Sequence, residues 1–391
     1  MSIDLGIVRL PDGQAAHLRL DAGRIAALDP VRAVPEALIL PLPVDPHLHL
    51  DKTYTITRCK PGAPGLFGAI EAMQADMPNW TGADLRARIT RALEEAEAMG
   101  LRALRSHVDW NTPEAPGAWS LLGEMGAEWE GRLVLQRAAL VPLDLLGDPD
   151  LGPGIAARVA RDGGVLGAFV YRNEDLPAKL ARVFDLAARH DLRLDFHVDE
   201  GLEAEARGLD EIAALTHSHD MQGRVLCGHA CSLSILPEDA LARSLERVAE
   251  AGIALTVLPT TNLHLQDTRP GRSPRLRGLA PMHEMRAAGI ALALGADNVR
   301  DPFYPYGSYD PLDVYRIAVL AAHLDPGAWL DTITTTPAAA MGLEPASLMP
   351  GAPADFLLIP ARDWAEAISP PSVARRIFRG GVEQLPQGVL Q

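Results

Sequence analysis

Residues 178–200 read AKLARVFDLAARHDLRLDFHVDE, and this stretch decides the fold. It opens as an amphipathic helical run, breaks at Asp191, and continues as a short apolar run ending in polar residues, His197 and Glu200 among them. A helix handing over to a strand in this way is one unit of an alternating α/β chain, and the same unit recurs on both sides. Thr81-Gly-Ala-Asp84 has the form of a capping box ahead of Leu85, Ile89, Leu93, Ala96 and Met99 at helical spacing, Gly100 stops that helix, and LRALRSHVD follows as a strand. PEDALARSLERVAEAG leads into IALTVLP, and PMHEMRAAG into IALALGADN. Adding an opening strand at 38–46 and strands at 132–136, 165–171 and 224–230 brings the count to eight. Eight such units predict a closed, parallel (β/α)8 barrel of the TIM type, because right-handed crossovers then bury both sheet faces and leave no edge.

The flanks follow another period. Residues 1–37 (DLGIVRLPDG, HLRLDAGRIAALDP) and 350–391 (PGAPADFLLIP, ARRIFRGGVEQ) read as short alternating strands with turns. Neither segment alone covers its apolar face, so the two are expected to pair into one small β-sandwich. The organisation predicted is 1–40 and 349–391 as the two parts of the sandwich, around a catalytic barrel at 41–348.

Composition limits the function. The chain has 391 residues, 48% hydrophobic and 22% charged, with a net charge of -15. That acidity argues against nucleic acid and anionic membrane as partners, since both require a basic patch, and leaves a small molecule. The three cysteines, Cys59, Cys227 and Cys231, read as buried thiols in a reducing compartment rather than a disulfide framework. No run approaches the ~20 apolar residues of a bilayer span, no basic-plus-apolar signal segment opens the chain, and a cytoplasmic location is expected.

In a barrel of this kind the C-terminal strand ends build the active site. Those ends carry His47 and His49 in VDPHLHLDKTY, His107, His197 with Glu200, His229, and Asp297 with Asn298. On a strand His47 and His49 point to one side, giving two arms of a chelate. His47, His49, His197 and Asp297 together offer nitrogen and oxygen ligands suited to one divalent ion, Fe²⁺ or Zn²⁺, which lowers the pKa of a bound water to about 7. Glu200, three residues beyond His197, can shuttle protons, and His229 can hydrogen-bond the attacking hydroxide or the oxyanion. Asp297 has a competing reading as a helix N-cap, and His107 reads as support for the ligands or as packing.

The ordered set HLHLDK, RSHVD, DFHVDE, CGHA, TNLHLQ and GADNVRDPFYPYG resembles the amidohydrolase superfamily, and within it the cytosine deaminase group, over nearly the whole chain. The resemblance implies a distorted (β/α)8 barrel holding one iron or zinc ion on His47, His49, His197 and Asp297, with Glu200 shuttling protons and His229 activating hydroxide. Related enzymes with two metals bridge them by a carbamylated lysine at the end of strand four. Here that strand ends VYRNED, and the only lysines are Lys52, Lys60 and Lys179.

The substrate shell departs from the pattern. Leu143 stands where cytosine deaminases place a glutamine against the pyrimidine amide, Asn298 replaces the aspartate after the metal aspartate, and Phe303 replaces a pocket tryptophan, while Leu66 keeps the apolar pocket residue. Lys52 and Asn298 also occur in the related N-isopropylammelide hydrolases, which lack the glutamate that Glu200 supplies. The leading expectation is hydrolytic deamination of an amino-substituted N-heterocycle. Cytosine comes first, then isocytosine, a pterin or an aminotriazine. Cyclic-amide hydrolysis and a non-catalytic metal-binding paralogue are the other readings. A homo-oligomer binding a small heterocycle is the expected assembly.

Overall fold

The computed structural model describes residues 2–370 and 372–384. Pro371 and the last seven residues of the expected 349–391 segment lie outside the described residues.

Two sheets organise the chain. Strands β1 (Ile3–Arg9), β2 (Ala15–Asp21), β3 (Arg24–Pro30) and β4 (Ala37–Pro41) form the N-terminal part of a seven-stranded sheet. The barrel follows with β5 (Val44–Leu48), β6 (Ala103–Asp109), β7 (Val134–Pro142), β8 (Leu166–Val170), β9 (Leu194–Val198), β10 (Val225–His229), β11 (Ala254–Val257) and β12 (Ala291–Leu294). Strands β13 (Phe356–Ile359), β14 (Arg376–Arg379) and β15 (Val382–Gln384) then complete the first sheet, in the order β15-β14-β13-β4-β1-β2-β3. The terminal segments therefore pair with each other, as their patterning predicts, across the antiparallel contact of β13 with β4.

Period two explains how that sheet docks on the barrel. Ile39, Phe356, Leu358 and Phe378 belong to the sheet's own apolar core, while Leu38, Leu40, Leu357, Ile359 and Ile377 join the large core of the barrel. Alternate residues of β4 and β13 thus face opposite layers, and neither face is left wet.

The eight barrel strands are parallel and hydrogen-bonded in sequential order. Closure runs through the segment after β12: Leu48 bridges Asp297, with Asp297 N–H donating to His47 O (2.9 Å) and His49 N–H to Asp297 O (3.2 Å). The register between β5 and β6 slips between Asp45 and Leu48, where Leu50 N–H turns to the Ser106 hydroxyl instead (3.0 Å). The irregularity falls on the histidine pair. At the opposite end of β5, Val44 and Ala103 pack on Ala338 and Met341 at the short helix Thr335–Ala340.

Two strands differ from expectation. The single opening strand predicted at 38–46 is two: β4 belongs to the terminal sheet and β5 to the barrel. The break lies at Pro41-Leu42-Pro43, where two prolines lack the N–H that a ladder needs. The third barrel strand runs over Val134–Pro142 instead of 132–136. It continues through Gln136 and Arg137, polar residues that an apolar pattern stops at. Gln136 is held in place by Arg105 of β6, whose Nη2 donates to Gln136 Oε1 (2.8 Å).

Helices α1 (Leu66–Asp76) and α2 (Gly82–Ala98) lie in the long connection after β5. The Thr81 hydroxyl caps α2 by accepting from Asp84 N–H, and Gly100 ends the turn after it at φ 93°, a left-handed angle that costs glycine little.

Candidate active site

Three imidazoles and one carboxylate meet at the C-terminal end of the barrel. His47 and His49 come from the end of β5, His197 from β9 and Asp297 from the turn after β12. His197 Nε2 lies 3.0 Å from His47 Nε2 and 3.1 Å from His49 Nε2, and Asp297 Oδ1 lies 3.2 Å from His49 Nε2 and 3.6 Å from His47 Nε2. All four side chains are buried. Burial, the largest influence, drives each of the three imidazoles well below the ordinary histidine pKa, so each is neutral and offers a lone pair. Burial also raises the Asp297 carboxyl.

These groups do not satisfy one another. Among the described residues, the Nδ1 atoms of His47, His49 and His197 have no hydrogen-bond partner. Neither Asp297 oxygen takes a protein hydrogen bond of good geometry, although the Thr261 hydroxyl lies beside it. A buried carboxylate among three neutral imidazoles lacks a cation, and three nitrogens with one oxygen are a donor set for a divalent ion of the zinc or iron type.

His107 does not join that set. Its ring lies against His47, with centroids 4.1 Å apart, and its Nε2 sits 3.1 Å from Asp195 Oδ1. Asp195 is in turn paired with Arg105 Nη1 at 2.7 Å inside the barrel. Opposed by burial, these two cationic or donor neighbours still hold the Asp195 carboxyl below its ordinary value. Gly228 of β10 leaves room for His47: a Cβ there would stand 2.6 Å from its Cε1.

Beside the cluster lies a cavity of about 300 Å³. Glu200, His229, Asn298, Leu66 and Phe303 line it with His49, His197 and Asp297. The remainder of the wall is mostly apolar, including Phe67, Ile70 and Met73 of α1, Leu140 and Pro142 of β7, and Phe169 of β8.

Glu200 is buried, and its carboxyl is raised to about 8, chiefly by burial and secondly by the charge of Asp297. Its backbone is fixed by Gln266, whose Nε2 donates to Glu200 O at 2.5 Å. His229 is lowered to about 4, again chiefly by burial, and is a neutral ring. Asn262 Nδ2 lies 3.1 Å from His229 Nδ1. Because an amide nitrogen only donates, Nδ1 accepts and the ring proton sits on Nε2. That Nε2 has no protein partner among the described residues. His229 and Asp297 both adopt left-handed backbone angles, φ 73° and 60°, a concentration of strain at strand ends that accompanies functional sites.

Leu143 is not part of the cavity. It is fully buried in the main barrel core, where the chain leaves β7 and enters the short helix Leu143–Leu146. Leu140 and Pro142, two apart on the strand, face the cavity instead, and the change to helical backbone at Leu143 turns its side chain to another layer. Nor is Asp297 a helix N-cap: no helix follows it until Pro311.

The cavity also has a charged wall, which none of the sequence motifs announces. Lys52 is buried with its Nζ 2.9 Å from Asp109 Oδ2, and both residues line the cavity. The carboxylates of Asp51 and Asp301 are close enough to act on it as well, and these charges outweigh burial to hold the ammonium above its ordinary pKa. The signal available was the run His-Leu-Asp-Lys itself, which sets an acid and a base directly after a ligand. Asn262 and Gln266 were also missed as individuals, although both sit in TNLHLQ.

The fold and the site define a (β/α)8-barrel hydrolase built around a metal-binding cluster. The chain belongs to the amidohydrolase family, whose model matches residues 156–380, and is a hydrolase acting on C–N bonds. It is 37% identical over 352 residues to a pterin deaminase of Rhizobium rhizogenes, a match covering 88% of this chain and 80% of that one. The solved structure of 5-methylcytosine deaminase from Klebsiella pneumoniae with phosphonocytosine is similar over 100% of this chain and 99% of that one, at a TM-score of 0.88 and 25% identity. N-isopropylammelide isopropylaminohydrolase from Burkholderia multivorans matches over 98% of each chain, at a TM-score of 0.80 and 25% identity. No described helix is long and apolar enough to cross a membrane.

Proposed function

We propose that this chain is a hydrolytic deaminase of an amino-substituted N-heterocycle, with pterins its first class of substrate, and that it works with one divalent ion, zinc or iron, held by His47, His49, His197 and Asp297. The observation that carries this reading is the placing of the buried Glu200 carboxyl beside that cluster on an otherwise largely apolar cavity. The relative named pterin deaminase supports ranking pterins ahead of cytosine, the reverse of the order suggested by the sequence motifs alone. One ion per chain agrees with the lysines: Lys52 is engaged by Asp109, Lys179 Nζ pairs with Asp144 at 2.8 Å, and Lys60 is exposed.

When bound, such an ion supplies Lewis acidity and makes water a nucleophile near neutral pH. The remaining work falls to side chains. Glu200 gives its proton to the ring nitrogen next to the amino-bearing carbon, which makes that carbon electrophilic as the water oxygen bonds to it. The carboxylate so formed takes a proton from the water and passes it to the exocyclic amine. The C–N bond breaks, ammonia leaves, and the oxygen gives its remaining proton to the Glu200 carboxylate, which restores the acid and leaves the carbon with a carbonyl. His229 Nε2–H donates to the oxygen that carries the developing charge. The apolar wall keeps competing water away from these transfers.

Ammonia release from pterin, isocytosine, cytosine and an aminotriazine, measured on protein of known metal content, tests the proposal. Turnover of at least the pterin is expected. Metal-replete protein that releases ammonia from none of the four overturns it.

A further inference from the structure

The charged wall of the cavity has no task in the proton transfers above. Lys52 is only 3% exposed, its Nζ lies 3.0 and 2.9 Å from the two Asp109 oxygens, and it stands 4.6 Å from the centroid of the Phe303 ring. An ammonium group has three N–H donors and no acceptor. Asp109 is its one hydrogen-bond partner among the described residues, so donor capacity remains on a side chain that lines the cavity.

Asn298 lines the same cavity, and its amide is oriented from behind. Its Nδ2 donates to Asp301 Oδ2 at 2.8 Å. Asp301 is itself fixed by the N–H groups of Phe303 (2.8 Å) and Tyr304 (3.1 Å). Because that bond engages the amide nitrogen, the oxygen Oδ1 is the end left to accept from a bound molecule. A second carboxylate layer thus anchors both groups: Asp51 Oδ2 accepts from Asp109 N–H at 2.8 Å, and Asp301 acts on both Lys52 and Asn298. The wall offers one donor and one acceptor, linked through Asp301, against an apolar surround.

We propose that Lys52 and Asn298 are specificity-determining residues that read a lactam edge, the ring C=O accepting from Lys52 and the neighbouring ring N–H donating to Asn298. The inference rests on the deaminase reading and narrows its substrates to 2-amino-4-oxo-pyrimidine rings, free or fused. In such a ring the amino-bearing carbon is flanked by a bare nitrogen, which takes the Glu200 proton, and on its other side by N–H and then C=O. Cytosine has C–H groups where this ring has its N–H and C=O, and leaves both wall groups unanswered. A 2,4-diamino ring sets an amino donor against the ammonium.

Two matched pairs test this on metal-loaded protein: isocytosine with cytosine, and pterin with 2,4-diaminopteridine. The wild type is expected to favour the oxo lactam of each pair, and Lys52→Met to lose roughly 100-fold in kcat/KM on pterin while 2,4-diaminopteridine is unchanged or improved. Metal content should not change. Lys52→Met strands Asp109, so Lys52→Met/Asp109→Leu is measured beside it, removing both charges together. An equal loss on both members of a pair, in either variant, overturns the inference and makes Lys52 a packing residue. Binding of lumazine, the expected deaminated ring, is followed separately by calorimetry. Binding weakened by Lys52→Met in a protein that releases no ammonia keeps the edge recognition and overturns the reaction. Lumazine binding indifferent to Lys52 overturns the recognition, whether or not ammonia is released.

Discussion

Glu200 and Leu143 show how one substitution separates chemistry from packing. In the metal-free protein a carboxyl raised to about 8 by burial retains its proton at neutrality, and a carboxyl so placed can act as an acid. Glu200→Gln keeps the shape and the apolar surroundings but cannot relay a proton, so turnover is expected to fall by ~10²–10⁴-fold with metal content intact. Near-normal turnover in the metal-loaded variant would move the proton transfer to another group. Leu143 sits on the other side of the distinction. Sequence correspondence makes it a substrate contact, yet its side chain is fully buried in the main core and away from the cavity. Leu143→Gln therefore buries an amide with no partner waiting for it and is expected to cost ~1–3 kcal/mol of stability. Chemical denaturation measures that cost, and a gain in cytosine turnover with stability unchanged would show that the residue faces the substrate after all.

At the scale of elements, legibility followed pattern. Strands that alternate with helices and end in a polar residue were visible, and with them every strand end that carries His47, His49, His107, His197, His229 and Asp297. What escaped was whatever depends on partners distant in sequence. β7 was misplaced because Gln136 is held in the strand by Arg105, 31 residues away, which no local pattern shows. β4 and β5 merged because the two prolines between them lie inside one apolar run. Lys52 could be seen as a lysine but not as a cavity wall, since Asp109 and Asp301 come from other strand ends. Gly228 belongs with these long-range facts, for it clears space on β10 for a ligand carried by β5. A methyl group there would meet the His47 ring at 2.6 Å, and that ring cannot simply retreat with the His107 ring centred 4.1 Å away. Gly228→Ala is expected to weaken metal binding by ~10–100-fold, the size of effect produced by disturbing what orients a ligand. Competition with a chelating dye reads it, and unchanged affinity would mean that the backbone of β10 yields instead.

Over the whole molecule the buried charges do not balance. Arg105 pairs with Asp195 and Lys52 with Asp109, but Asp45, Asp51, Glu200, Asp297 and Asp301 are buried without an ion-pair cation of their own among the described residues. Burial raises Asp45, Asp51 and Asp301 to about 7 and Glu200 to about 8. An unfolded chain titrates these groups near ~4, so between that pH and about 8 these carboxyls hold more protons in the folded, metal-free protein than in the unfolded one. Their contribution to stability then falls as pH rises through that window, and levels off above it. The buried histidines work the other way below ~6.5, where an unfolded chain protonates them and burial keeps them neutral in the fold, so the net fall is expected between about 6.5 and 8. A divalent cation beside Asp297 and near Glu200 favours the charged forms of both, pulling their pKa values down and removing part of the fall. The rise in Tm produced by metal is therefore expected to grow from pH 5 to pH 8, since fewer protons compete for the same carboxylates. Paired thermal melts of chelated and metal-loaded protein at pH 5, 6, 7 and 8 measure the increment directly, and the subtraction cancels the general effect of the -15 net charge. An increment that is constant, or that shrinks with pH, would mean that the cation does not sit among these carboxylates, and the ligand set built on Asp297 would have to be abandoned.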